Sequence, residues 1–249
     1  MKARNLTVIV AGLRPRIGTT LLTRVLADYF ILSHEEPLIF DTDSVDRRLS
    51  AYFPHLVTPV DLERVQGQMV LFDTMASELP EKRLVDVTHR GFRKFFDLMQ
   101  QIDYLEEARL NHVESVIFYI VGRDSESHDQ GAILRQRFDC PFVVVENPFV
   151  GEPRRDARFS SGYAMLNTHP LRMRMADLDP LLVDIVADPR LSITGFMRQD
   201  TEMLPLAFLS RECRSAVRAW VMKMFREIHS ITHALAALAR EPADHVPGR

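Results

Sequence analysis

The chain has 249 residues, of which 46% are hydrophobic and 26% are charged, and its formal net charge is −3. This composition excludes bulk disorder, a collagen-like repeat and a disulfide scaffold, and the charge argues against binding of nucleic acid over the whole surface. The apolar runs are shorter than the roughly 20 residues that span a bilayer, and Met1–Val10 lacks the apolar core of a secretory signal. We therefore expect a cytoplasmic protein.

Short, continuous apolar runs recur along the chain and predict strands that are buried on both faces. In chain order these runs are Leu6–Ala11, Pro37–Asp41, Met69–Asp73, Val116–Val121, Phe142–Val145 and Leu171–Ala176. Helical stretches separate them, and this alternation is typical of a parallel sheet. We therefore predict an α/β fold, a doubly wound and mostly parallel sheet flanked by helices.

The predicted helices lie between these runs, and the longest closes the chain. After the first run, apolar residues recur at helical spacing from Leu21 to Tyr29. Further helices are predicted over Asp61–Gln66, over Lys82–Leu110 (unbroken or broken near Gln101), over Gln130–Phe138 and over Leu206–Leu238. The polar stretch Gly151–Pro170 predicts a long surface loop. The pattern as a whole predicts one domain over residues 1–240 and a flexible tail over 241–249.

The segment between the first strand and the first helix, Gly12–Thr20, lies where such folds bind ligands, beyond the carboxyl ends of the strands. A phosphate site needs backbone N–H groups at a helix N-terminus and a hydroxyl for Mg²⁺. Gly18, Thr19 and Thr20 can supply the turn and the hydroxyl. The segment therefore predicts an anion site, and an ordinary strand–helix turn with a capping threonine is the alternative.

The run RPRIGTT, from Arg14 to Thr20, resembles the deviant Walker A motif KGGVGKTT of ParA/MinD-type P-loop ATPases. The resemblance matches Arg14 to the signature lysine that reaches across the dimer in that family, and Thr20 to the hydroxyl that ligates Mg²⁺. It also implies a set of residues that contact the nucleotide. That set is Gly12, Ile17, Gly18, Thr19, Thr20, Leu21 and Asn147.

Two features of the motif are altered in this chain. Pro15 and Arg16 replace glycines, and proline lacks a backbone N–H that could face a phosphate. Thr19 stands at the position of the phosphate-binding lysine. An arginine can hold a phosphate, but its planar fork does not replace a compact ammonium group. We therefore expect slow or absent hydrolysis, in which Arg14, Arg16 and Asp43 are the catalytic residues.

Acidic residues at predicted strand ends extend the resemblance over roughly the first 150 residues. It implies that Asp41 lies near the metal and that Asp43 positions the attacking water. The run Val70–Asp73 resembles the Walker B strand, and Asn147 stands where the family often places a residue that reads the adenine edge. The metal ligands implied by the resemblance are Thr20, Asp41 and Asp73.

Several of these features also have a purely structural explanation. Asp41 and Asp43 could cap the segment that follows their strand, and Asn147 could begin a turn at Pro148. The apolar stripe of the last helix could bind a membrane, but packing on the sheet is the simpler explanation. The arginines of the loop 151–170 fit either an anion-facing patch or a solvated loop.

The resemblance implies a nucleotide-dependent dimerisation switch that uses ATP and Mg²⁺. It further implies a homodimer with a protein partner in a partition, conjugation or secretion assembly. DNA would be bound through that partner or through a surface of the dimer, and membrane binding is not expected. Two branches of the family resemble this sequence. One is the accessory ATPases of conjugation and plasmid stability, which we favour, and the other is the accessory ATPases of cellulose secretion. The alternative is a pseudo-ATPase scaffold without nucleotide, which Thr19, Pro15 and the lack of lysine between Lys2 and Lys82 favour.

Overall fold

The computed structural model describes residues 5–79, 81–198 and 210–238, and every structural statement refers to those ranges. Two predictions fall outside them: the tail over 241–249 together with the domain boundary at 240, and the start of the last predicted helix over 206–209.

Seven strands form one sheet, in which every neighbouring pair is parallel. The strands are β1 (Leu6–Ala11), β2 (Leu38–Asp41), β3 (Val57–Pro59), β4 (Lys82–Val87), β5 (Glu114–Ile120), β6 (Phe142–Glu146) and β7 (Arg172–Arg174). In space they follow the order β3-β2-β4-β1-β5-β6-β7. The chain therefore winds away from β1 in both directions, which confirms the doubly wound parallel sheet and opens a crevice at the carboxyl end of β1.

Helices cover both faces of this sheet. They are α1 (Thr19–Leu32), α2 (Arg48–Tyr52), α3 (Val65–Met75), α4 (Phe92–Gln101), α5 (Tyr104–Leu110), α6 (Ser125–Arg137), α7 (Ser161–Asn167), α8 (Val183–Ala187), α9 (Ile193–Arg198) and α10 (Arg211–Leu238). Successive residues of β1 serve opposite faces: Val8 and Val10 pack with α1 and α10, whereas Ile9 and Ala11 pack with α3, α4 and α5. A strand covered on both faces is apolar at every position, which explains the continuous runs.

Two predicted elements are wrong. Met69–Asp73, predicted as a strand, lies within helix α3, where Leu71, Phe72 and Met75 are buried and Met69 is exposed. The first part of the predicted helix Lys82–Leu110 is the strand β4 instead, whereas most of the rest is helical and the break near Gln101 is confirmed between α4 and α5. The helix predicted at Asp61–Gln66 begins later, at Val65, and the predicted loop Gly151–Pro170 contains the short helix α7.

Helix α10 packs its apolar stripe against the sheet rather than leaving it exposed. Val217, Met224 and Ile228 are buried within the α1 side of the core, and Trp220 Nε1 donates a hydrogen bond to the carbonyl of Ala176 at 3.1 Å. Within the described ranges, no helix combines the length and the apolar character that crossing a membrane requires. The structural explanation of the stripe therefore accounts for it.

Candidate functional site

The loop between β1 and α1 has a left-handed turn directly before the helix. Gly18 adopts φ 107° and serves as the N-cap of α1, so that Thr19 and Thr20 are the first helical residues. Only glycine enters this region without a steric penalty. The unpaired N–H groups of the first helical turn then lie at the carboxyl edge of the sheet, which is the arrangement that binds anions.

Asn147, which follows β6, holds this loop in place. Its Nδ2 donates to the carbonyl of Ile17 at 2.9 Å, and a Cβ atom on Gly18 would lie only 2.6 Å from the same nitrogen. Its Oδ1 accepts a hydrogen bond from the N–H of Phe149 at 3.1 Å, as the turn explanation requires. Asn147 therefore fixes the 12–20 loop from the end of β6, two strands away from β1, and its reading of an adenine edge remains a prediction.

Asp86, at the end of β4, is the acidic residue that meets the loop. The hydroxyl of Thr20 donates to Asp86 Oδ2 at 2.7 Å, and the register of β2 and β4 places Asp86 opposite Asp41. Thr42 ties the two strand ends together, because its hydroxyl donates to the carbonyl of Asp86 at 2.9 Å and accepts from the N–H of Thr88 at 3.1 Å. The two carboxylates are therefore held side by side beneath the phosphate loop.

Burial makes these two carboxylates costly to ionise. Asp86 is 0% exposed and Asp41 is 1% exposed. Burial raises the pKa of Asp86 to about 7, against the opposing effect of the Thr20 hydroxyl, and burial likewise raises the pKa of Asp41. A nearby cation would favour the ionised form of both groups.

Two oxygens of this cluster fit a magnesium ion. Asp41 Oδ2 and Asp86 Oδ1 are buried and have no hydrogen-bond partner in the structure. Buried polar atoms are normally paired, and carboxylate and hydroxyl oxygens are the ligands that Mg²⁺ takes in proteins. Within the described chain, no group of three or more His, Cys, Asp or Glu side chains could hold a metal by itself. An ion held by Thr20, Asp41 and Asp86 would therefore need oxygens from a phosphate and from water, as Mg²⁺ at phosphate sites does.

The structure corrects the third metal ligand implied by the resemblance. Asp73 lies on the exposed side of helix α3 and not at a strand end, so the reasoning that chose it no longer holds. The strand-end carboxylate is Asp86, which the sequence analysis missed. Its signal was the apolar pair Leu84–Val85 ahead of an acid, but Lys82 and Arg83 obscured the run.

Asp43 lies half-buried at the turn that follows β2. Its Oδ1 accepts from the N–H groups of Val45 and Asp46, both at 3.0 Å, and its own N–H donates to Asp41 Oδ1 at 2.9 Å. Arg90 lies 3.8 Å from the same Oδ1. The capping explanation is therefore present in the structure, and the activation of water by Asp43 remains a prediction.

The remaining loop residues are placed as follows. Arg14 binds carboxylates of its own chain: Nε and Nη2 donate to Asp124 at 3.1 and 2.6 Å, and Nη2 donates to Glu126 at 2.5 Å. Arg16 is exposed at φ 57° and makes no ion pair with the described residues. Gly12 packs tightly, since a Cβ there would lie 2.7 Å from Ile17 Cγ2, and Leu21 packs half-buried on the α1 side of the core.

Comparison with known proteins supports the fold rather than a close relationship. No protein-family model matches the chain, and no curated protein matches its sequence. The MinD cell division protein of Aquifex aeolicus is 14% identical and superposes with a TM-score of 0.50 over 90% of this chain and 96% of that one. A chain of the MinC:MinD cell division protein complex of the same organism is 13% identical and superposes with a TM-score of 0.50 over 90% and 95%. The chain thus shares the fold of these MinD structures.

Proposed function

We propose that this protein binds ATP and Mg²⁺ at the 12–20 loop and that the bound nucleotide drives formation of a homodimer. The observation that carries the proposal is the cluster of Thr20, Asp86 and Asp41 beneath the left-handed turn at Gly18. It combines a helix N-terminus for phosphates with unpaired buried oxygens for a cation. Ordinary strand–helix turns do not require the second feature.

Different residues of this site would bind the phosphates and the metal. The N–H groups at the start of α1 would bind phosphate oxygens, while Thr20, Asp86 and Asp41 would hold the metal. A bound Mg²⁺ supplies neutralisation of phosphate charge. Thr19 carries no charge, so Arg14 and Arg16 are the cations of the loop that could act on the outermost phosphate. Turnover is therefore slow, because each cation at that position contributes orders of magnitude in rate.

The partner belongs to a larger assembly in this proposal. The similar MinD of Aquifex aeolicus is known in a complex with MinC, which supports a protein-binding role for this fold. We extend the proposal to a partner in a partition, conjugation or secretion assembly, with DNA engaged through that partner or through the dimer surface. The resemblance of the strand ends favours the conjugation and plasmid-stability branch.

Calorimetric titration with Mg-ATP tests the site. We expect Thr20→Ala and Asp86→Asn each to weaken binding by about 10- to 100-fold, the usual effect of losing a residue that holds or orients a metal. The matched control is Asp73→Asn, which makes the same chemical change on the exposed side of α3 and should bind as the wild type does. Equal losses in Asp73→Asn and Asp86→Asn would contradict the assignment.

A scaffold that binds no nucleotide is the second candidate, and Pro15 and Thr19 support it. A ligand that binds only the folded protein raises its melting temperature. A wild-type protein that shows neither binding heat nor a melting shift at millimolar Mg-ATP would therefore establish the scaffold in place of the switch.

A further inference from the structure

The side chain of Arg14 is held by two carboxylates of its own chain. Asp124 and Glu126 lie 110 and 112 residues further along the sequence, directly after strand β5. They are close to Arg14 in space because β5 pairs with β1. Asp124 binds Nε and Nη2 at 3.1 and 2.6 Å in a two-pronged contact, and Glu126 binds Nη2 at 2.5 Å. Two-pronged arginine–carboxylate contacts are the most directional ion pairs in proteins.

The hydrogen bonds of the guanidinium group to these two carboxylates come from Nε and Nη2. Both hydrogens of Nη2 and the single hydrogen of Nε point to Asp124 and Glu126. The contact with Asp124 raises the pKa of Arg14 and lowers that of Asp124, so both charges persist at neutral pH. One guanidinium thus faces two carboxylates, so its charge is already balanced within its own chain. Arg93 lies 3.8 Å from Glu126, and with it the cluster of two arginines and two carboxylates is neutral.

A guanidinium whose charge is already balanced by carboxylates contributes little to the neutralisation of a phosphate. For Arg14 to act on a nucleotide, its charge must be released from at least one of the two acids. Glu126 is the more exposed of the two, with 48% of its side chain accessible against 22% for Asp124. Asp124 has a second function as the N-cap of α6, where it accepts a hydrogen bond from the N–H of Ser127 at 3.1 Å.

The geometry points to Asp124 and Glu126 as positioning residues that hold Arg14 within its own protomer and withhold it from the partner's nucleotide until two protomers meet. This inference rests on the proposed ATP-dependent dimer and adds a barrier to its formation. We infer that the contact of Arg14 with Glu126 breaks when the dimer forms, whereas its contact with Asp124 is kept.

Sedimentation velocity in saturating Mg-ATP, at a series of protein concentrations, tests this barrier. Glu126→Gln keeps the size of the side chain and removes one charge, so we expect its dimer dissociation constant to fall about three- to fivefold, the scale of one exposed ion pair. The control Glu106→Gln removes the same charge from an exposed pair with Arg109 on α5. That control should dimerise as the wild type does.

A second variant separates positioning from a general charge effect. If Glu126 acts through Arg14, then Glu126→Gln gives no gain in an Arg14→Ala background, with the double variant compared with Arg14→Ala alone, since coupled residues are not additive. Without nucleotide, both Glu126→Gln and the double variant should remain as monomeric as the wild type. A simple loss of surface repulsion would instead strengthen association without ATP.

The possible failures are distinguishable. Unchanged or weaker dimerisation of Glu126→Gln, in protein that binds ATP by calorimetry, overturns the inference and leaves the proposed function standing. A gain that survives Arg14→Ala overturns it as well. Absence of ATP binding in both wild type and Glu126→Gln contradicts the proposed function, and the inference falls with it.

Discussion

Gly18 meets two independent demands of the 12–20 loop. Its φ of 107° places it in the left-handed region that directs the chain into α1, and its missing Cβ leaves room for the Nδ2 of Asn147. Asn147 in turn fixes the carbonyl of Ile17. The loop therefore depends on one backbone conformation and one hydrogen bond from the neighbouring segment.

Substitution of this glycine tests whether the turn forms the anion site. Gly18→Ala should lower the free energy of unfolding by at least about 1–2 kcal/mol, the cost of a left-handed conformation in an L-residue. It should also abolish ATP binding, because the displaced loop no longer presents its N–H groups. Urea denaturation and calorimetry give the two values. Adding Asn147→Ala should relieve the collision but not the strain, so a full recovery of stability would contradict this explanation.

At the scale of elements, helix α1 is anchored along its middle as well as at the loop. Arg24, 1% exposed, donates to the carbonyls of Val186 and Leu191 and stacks 3.9 Å from the ring centre of Tyr52. One turn later, Asp28 Oδ1 accepts from the N–H and the hydroxyl of Thr194 at 2.9 and 2.6 Å. Helices α8 and α9 are thereby fastened to the helix that begins the phosphate site.

This anchor makes the stability of the protein depend on pH. Burial raises the pKa of Asp28 to about 6, against the lowering effects of Thr194 and Arg24. A folded-state pKa above the unfolded value means that the folded state binds the proton more tightly, so stability falls as pH rises from about 4 through 6. The change is at most about 3 kcal/mol, from about 1.4 kcal/mol per pKa unit. Urea denaturation from pH 4 to pH 7.5 should show a decline in the wild type, to which the raised pKa values of Asp86 and Asp41 also contribute, and the decline in Asp28→Asn should be smaller by the part that Asp28 supplies. An identical pH profile in both proteins would contradict the assignment.

The sequence analysis missed two strands, the three-residue β3 and the interior strand β4, and β4 differs in composition from the strands that were predicted. β1, β2, β5 and β6 contain mostly uncharged residues, whereas β4 reads Lys-Arg-Leu-Val-Asp-Val. Arg83 is tolerated there because its guanidinium donates to the carbonyls of Ser77 and Leu79, both at 2.8 Å. Such long-range compensation is invisible in a local pattern. The loop residues could be found from their order alone, but Asp86 required the three-dimensional pairing of β4 with β2.

At the scale of the whole molecule, the chemistry lies on one edge of the sheet. The carboxyl ends of β1, β2, β4, β5 and β6 contribute the phosphate loop, Asp41, Asp86, Asp124 and Asn147. Packing of the two faces uses most of the remaining apolar residues, including the stripe of α10. The residues of the proposed site therefore lie together at this edge of the sheet.

Variants on this edge should separate binding, dimerisation and hydrolysis. Arg14→Ala should weaken ATP-dependent dimerisation more than ATP binding by the monomer, because Arg14 acts on the partner's nucleotide in this account. Asp43→Ala should do the opposite and prolong the dimer by preventing activation of water.

Phosphate release should be slow in the wild type and slower still in Arg14→Ala and Arg16→Ala. The control Arg109→Ala, which removes the contact with Asp139, should release phosphate as the wild type does. Brisk release that survives loss of both arginines would exclude these roles.

The most direct test of the switch is the mass of the wild-type protein in solution with each nucleotide. Sedimentation velocity without nucleotide, with Mg-ADP and with Mg-ATP, at concentrations that saturate the site by calorimetry, compares the three states of one protein. We expect a monomer of 28.7 kDa in the first two conditions and a dimer with Mg-ATP. A protein that remains monomeric while Mg-ATP saturates the site, or that dimerises equally with Mg-ADP, would contradict it.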